Sequence, residues 1–188
     1  MRAKTISMLA AALLLAFGFS GCDKDDPEPE VKKNIAKLGA QANTSIGGFY
    51  SISEKEVYTI DVAAQNQDKI DILCFYEEGN DIAIASPGAN ITDIFGGGEN
   101  DPVNWTTQNE TRYCQVETLT AEQFDALSDG DVAIEALYDI ENAFRKAKLL
   151  SIDDIYAFKT ESGTYGVLMV TDVILGEDGY VEFEYKIK

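Results

Sequence analysis

In the final stretch of the chain, every second side chain is apolar and the intervening ones are charged. The apolar positions are Val181, Phe183, Tyr185 and Ile187. Because side chains of a strand point alternately to its two faces, this pattern predicts a strand with one face in a core and one in water. Two more strand-like stretches, residues 155–160 and 165–175, precede it and are separated by glycine-containing turns. We therefore predict a C-terminal three-stranded antiparallel meander.

Residues 69–76 are apolar on both faces of a predicted strand. Ile72 and Cys74 fall on one face, whereas Leu73 and Phe75 fall on the other. A strand that is apolar on both faces is typical of the middle of a sheet, where both faces are covered. Shorter strands are predicted over residues 49–52, 56–60, 81–85 and 111–117.

Residues 131–149 have the spacing of an amphipathic helix. Apolar side chains recur every three or four residues, at Ala133, Leu137, Ile140, Phe144 and Ala147. Cations near the C-terminal end of this segment suit the negative end of a helix dipole; they are Arg145, Lys146 and Lys148. The predicted fold class is α+β, predominantly antiparallel β-sheet, with one substantial helix before the C-terminal three-stranded meander.

The N-terminus has the features of a lipoprotein signal. Arg2 and Lys4 precede an apolar stretch, residues 6–19, which is too short for a comfortable membrane span. Ser20 and Gly21 before Cys22 resemble a bacterial lipobox, although Phe19 stands where lipoboxes usually carry Leu. We predict cleavage after residue 21 and lipidation of Cys22, with several acyl chains giving stable membrane attachment.

An acidic, proline-containing stretch follows Cys22. Residues 22–34 cannot pack a core and are predicted to be an extended tether. Lys24, Asp25 and Asp26 resemble the surface-export signal of Bacteroidota-type lipoproteins, which directs proteins to the outside of the outer membrane. The predicted organisation is a signal peptide over residues 1–21, this tether, and a single globular β-rich domain over residues 35–188.

Charge and composition exclude several classes of function. Lys and Arg total 15 against 33 Asp and Glu, a formal net charge of -18, so the chain would repel nucleic acid. The chain has no histidine, which removes Ser-His-Asp and Cys-His nucleophile pairs and HExxH zinc sites. Gly96, Gly97 and Gly98 lack the Lys-Ser or Lys-Thr of a phosphate-binding loop. No catalytic residue, cofactor site or metal site is predicted.

Three aromatic residues are candidates for ligand contact. Trp105, Tyr113 and Tyr165 could form a stacking platform for a sugar or a flat ligand. Packing of Trp105 against the core, as an anchor for its glycine-rich loop, is the competing interpretation.

The two cysteines of the predicted domain and the acidic residues between positions 93 and 101, which we call the acidic loop, each have two interpretations. Cys74 and Cys114 lie on predicted strands; a disulfide and two buried free thiols are both compatible with their spacing. The oxygen-bearing residues of the loop are Asp93, Glu99, Asn100 and Asp101, which suit Ca²⁺ chemically but lack EF-hand spacing. A solvated acidic loop is the preferred interpretation.

Residues 156–170 and 179–185 are similar to the C-terminal part of HmuY-like lipoproteins, and residues 69–73 resemble uncharacterised lipoproteins of the same bacterial group. The resemblance implies a predominantly β surface protein that works beside an outer-membrane transporter, in the best-known members as a haem-capture protein. Family members bind haem iron through histidine or methionine. This chain has no histidine and only Met169 after the signal, so the haem ligands are not matched.

Together these features predict a lipid-anchored outer-membrane lipoprotein facing outward, with a non-catalytic binding or interaction role that is accessory to nutrient uptake. Its predicted partners are the membrane, a transporter and a small ligand or glycan. One alternative is a glycan hydrolase that uses two carboxylates. Another is a structural subunit of a surface assembly, which would present a sheet edge or a large apolar patch.

Overall fold

The predicted C-terminal strands form part of a larger sheet. In a computed structural model, which describes residues 33–188, five antiparallel strands lie in the order β1-β10-β9-β8-β6. Their bounds are β1 Asn34–Gly39, β6 Arg112–Gln115, β8 Ile155–Lys159, β9 Tyr165–Ile174 and β10 Tyr180–Ile187. The last three strands are consecutive neighbours, but β1 and β6 flank them, so they are the middle of a five-stranded sheet rather than a separate three-stranded unit.

A second antiparallel sheet contains the strand that is apolar on both faces. Its order is β3-β2-β4-β5-β7, with β2 Phe49–Ser51, β3 Glu56–Tyr58, β4 Ile72–Glu77, β5 Asp81–Ala85 and β7 Lys146–Ala147. Strand β4 lies in the middle, as predicted. Ile72 and Cys74 face one apolar cluster, and Leu73 and Phe75 face another.

The two sheets enclose the main core between them. The inward faces of β4 and β5 meet those of β8, β9 and β10 in one cluster, which includes Phe158, Leu168 and Phe183. A second cluster covers the outer face of the β4 sheet, and a third covers the outer face of the β9 sheet. Because residues 33–188 contain all three clusters, this segment carries its own core.

The substantial helix predicted over residues 131–149 is wrong. The segment contains a four-residue helix, α3 (Ala133–Ala136), a 3-10 turn over Ile140–Asn142 and strand β7. Its apolar positions do not form a buried stripe, since Ile140 is 60% exposed and Phe144 is 67% exposed. Backbone pairing with β5 and β6 satisfies sheet-edge groups that a helix would leave unpaired, so tertiary context overrides the helical spacing.

The other helices are short. They are α1 (Ile60–Ala63) and α2 (Ala121–Ala126), the latter opened by a capping box between Thr120 and Gln123. Among residues 33–188, no helix has the length and apolar character needed to cross a bilayer.

Part of the outer face of β10 is buried rather than solvated. Glu184 is 4% exposed and Lys186 is 9% exposed, because α2 packs over this face. The Lys186 ammonium lies 4.3 Å from the centroid of the Phe124 ring, and Glu184 accepts a hydrogen bond of 2.7 Å from Lys33. The predicted division of this strand into a core face and a water face is therefore corrected at Glu184 and Lys186, while Glu182 is partly exposed and Lys188 is exposed. Charged side chains can occupy a covered face when they are paired.

Candidate functional site

One short segment joins the edges of both sheets. Phe144 and Tyr113 of β6 exchange backbone hydrogen bonds of 2.7 and 2.9 Å. Two residues later, β7 pairs with β5 of the other sheet. Residues 143–148 therefore close the seam between the two sheets, which we call the seam segment.

A cavity of about 550 Å³ lies along the seam segment. Its volume is within the range of about 300–1,000 Å³ that is usual for small-molecule sites. The lining combines aromatic, amide and cationic side chains with two alanines: Tyr113, Phe144, Tyr156, Gln115, Asn142, Arg145, Lys146, Lys148, Ala89 and Ala147. We call it the seam cavity.

The charge of the seam cavity is opposite to that of the chain. Three of the 15 cationic residues line it, and none of its lining residues within 33–188 is acidic. The Arg145 guanidinium is held by Glu110 at 2.9 Å and by the Gly88 carbonyl. Lys148 is exposed and forms no ion pair with any residue of 33–188.

Burial and neighbouring cations change the pKa of Lys146. Burial lowers the pKa of its ammonium, and the positive charges of Lys148 and Arg145 lower it further, while Glu77 acts in the opposite direction. The ammonium lies 5.8 Å from the centroid of the Phe75 ring. An anion bound beside these residues would relieve the repulsion between them.

Tyr113 lines the seam cavity, but its hydroxyl is shielded from solvent and therefore from the cavity. The residue is 1% exposed, and its hydroxyl has no hydrogen-bond partner among the described residues. Burial raises the pKa of this hydroxyl well above its ordinary value, and the charge of Asp71 adds to the effect. Burial also raises the pKa of Tyr156 to about 12. Both hydroxyls are therefore protonated at neutral pH, and that of Tyr113 is a donor without a partner.

The three predicted ligand-contacting aromatics do not form one platform. Trp105 is 5% exposed, packs 5.5 Å from the Phe49 ring centroid and donates a hydrogen bond to the Asn100 carbonyl, so it anchors its loop. Tyr165 packs 5.6 Å from Tyr138 in a different cluster. Of the three residues, only Tyr113 lines the seam cavity.

Cys74 and Cys114 are buried free thiols in different clusters, so the structure takes this alternative and not the disulfide. Burial raises the pKa of Cys74 to about 12 and also raises the pKa of Cys114. Met169 fills the same cluster as Cys114. Cys22, the predicted lipidation site, lies outside the described residues.

The acidic loop is organised by its own hydrogen bonds. The Asp101 carboxylate accepts from the backbone amides of Gly97 at 2.8 Å and Val103 at 3.1 Å. Within residues 33–188, no group of three His, Cys, Asp or Glu residues has the arrangement of a metal site. Carboxylates do gather elsewhere, in a cavity of about 380 Å³ whose acidic lining residues are Glu77, Glu78, Asp93 and Glu177.

Comparison with known proteins supports the fold only. No family model matches the chain, and no curated protein matches it. The crystal structure of a DUF4466 family protein from Parabacteroides merdae is similar, with a TM-score of 0.54 and 17% sequence identity. The match covers 84% of this chain and 55% of the other, so this chain spans about half the length of that protein.

Sequence reasoning missed the seam cavity because it assigned residues 131–149 to a helix. A usable signal was present. Phe144 and three cations stand within five consecutive positions of a chain whose net charge is -18. Such a cluster is unusual in an acidic chain and could have been proposed as an anion-binding segment.

Proposed function

We propose that the protein is a non-catalytic binding lipoprotein, held to the outer membrane by acyl chains on Cys22, with its domain facing outward. The signal-like N-terminus and the acidic tether support the anchor. The seam cavity carries the binding role, since it unites an exposed aromatic ring with cations. A role beside a transporter, as in the HmuY-like proteins that the chain resembles, belongs to the same proposal.

Binding is favoured over catalysis by the chemistry of the seam cavity. Its lining offers protonated tyrosine hydroxyls, amides and cations, but no carboxylate or thiol within residues 33–188. Glycoside hydrolysis requires two carboxyl groups about 5–10 Å apart on either side of the bond. The purified domain should therefore turn over no surface polysaccharide or peptide, and product formation in such an assay would refute a non-catalytic role.

Lipidation is tested by labelling with a palmitate analogue in a Bacteroidota host. The wild-type chain should carry the label and sediment with outer membranes, because several acyl chains anchor stably. Cys22→Ala should lose both properties, whereas the matched control Cys74→Ala should keep them. Label retained in Cys22→Ala would contradict the anchor.

Outward display is tested on intact cells with an added protease. The wild-type domain should be degraded while a periplasmic marker survives. A double variant, Asp25→Ala with Asp26→Ala, should keep its lipid but become protected, since these residues resemble the export signal. Protection of the wild-type domain would contradict outward display.

A further inference from the structure

We propose that the seam cavity binds a small aromatic carboxylate: a flat apolar ring system that bears one anionic group. The proposal rests on the proposed binding function and specifies its ligand class. Two independent features of the lining carry it, namely an exposed ring and an excess of positive charge.

The apolar part of the ligand follows from the aromatic lining. The Phe144 side chain is 67% exposed, although two backbone hydrogen bonds with Tyr113 hold its main chain in place. Tyr113 and Tyr156 line the same cavity from its buried side. Small neighbours, Ala89 and Ala147, leave room between the rings. A flat ring that enters this space would cover Phe144 and gain aromatic contacts, which favour offset or edge-to-face geometry.

The anionic part follows from the local charge. Arg145, Lys146 and Lys148 line the cavity, and Glu110 compensates only the first of them directly. Because the remainder of the chain is strongly acidic, an anion is repelled from most of the surface and attracted here. Lys148 is the most available cation, since it is exposed and unpaired within the described residues.

The test uses residues 22–188 with Cys22→Ala and three probes in isothermal titration calorimetry. The first probe is 2-naphthoate, the second is its neutral counterpart 2-naphthylmethanol, and the third is the non-aromatic cyclohexanecarboxylate. The naphthoate should bind at least about tenfold more tightly than either of the others, because only it has both ring and charge. Raising the salt from about 0.05 M to about 0.5 M should weaken naphthoate binding and leave the alcohol unaffected.

Two pairs of variants localise the effect. Lys148→Met should weaken naphthoate binding about tenfold, whereas Lys55→Met, an exposed lysine outside the cavity, should not. Phe144→Ala should weaken naphthoate binding severalfold, because it removes the exposed ring of the cavity. Its control is Ile174→Ala, which removes another exposed apolar side chain outside the cavity and should have no effect. Circular dichroism confirms that each variant is folded.

Equal affinity for the alcohol and the naphthoate, or no difference between each variant and its control, would overturn the ligand class. Absence of binding by all three probes would overturn it as well. Neither result bears on the anchor or on the absence of turnover, which are measured separately with Cys22→Ala and with polysaccharide or peptide substrates.

Discussion

Asp71 is a buried carboxyl group whose ionisation opposes folding. It is 7% exposed, and burial raises its pKa from 3.8 to about 6, although a hydrogen bond of 2.8 Å from the Ile52 amide acts in the opposite direction. Since the folded-state pKa is above the unfolded one, the folded protein binds this proton more tightly. The stabilising contribution of protonated Asp71 is therefore complete below pH 3.8 and is lost as the pH rises through about 6.

Asp71→Asn, which imitates the protonated carboxyl, should make the protein more stable at neutral and alkaline pH. The expected gain at about pH 8 is on the order of 2–3 kcal/mol in the free energy of unfolding, shrinking towards zero in acid. Urea denaturation of both proteins across this pH range measures it. A gain that does not change with pH, or a loss at about pH 8, would contradict a raised pKa.

The seam segment shows how an element's environment overrides its local pattern. The spacing of Ala133, Leu137 and Phe144 fits a helix, but Phe144 is exposed and its backbone completes the edge of β6. The sequence of residues 131–149 contains no local pattern that indicates a neighbouring sheet edge. The predicted helix would bury the Phe144 ring, whereas the observed bridge to Tyr113 leaves it exposed. The two structures therefore predict different changes in stability for the same substitution.

Phe144→Ala should cost less than about 1 kcal/mol of stability, because the ring is 67% exposed. Phe158→Ala is the matched control, since this ring is fully buried in the main core and its removal should cost about 3–5 kcal/mol. Urea denaturation compares the two. A loss of several kcal/mol from Phe144→Ala would support a buried helical stripe and contradict the seam structure.

Strands were more predictable than helices for a physical reason. The apolar side chains on both faces of β4 and on one face of β10 match the clusters that cover them, so the central position of β4 and the inward face of β10 were predicted correctly. The outward face of β10 was not, because the cover over Glu184 and Lys186 comes from α2, which is distant in sequence. The candidate site depends on the same kind of distant contact, between Tyr113 and Phe144.

In the described part of the molecule, the distribution of charge and the arrangement of the sheets both favour the seam cavity as the candidate site. Two sheets enclose a core, outer clusters cover both of them, and the seam segment closes one side. In a chain of net charge -18, this closure gathers three cations around a cavity of about 550 Å³. We propose that an extended tether over residues 22–34 holds this domain away from the membrane.

The proposed binding site at the seam is tested most directly by amide NMR spectra of residues 22–188 with Cys22→Ala, recorded while 2-naphthoate is added. The largest shifts should fall on Tyr113 and residues 144–148, because these form the seam, while Trp105 should not move. Shifts concentrated at Glu77, Glu78 and Asp93, or spectra without localised change, would contradict a binding site at the seam.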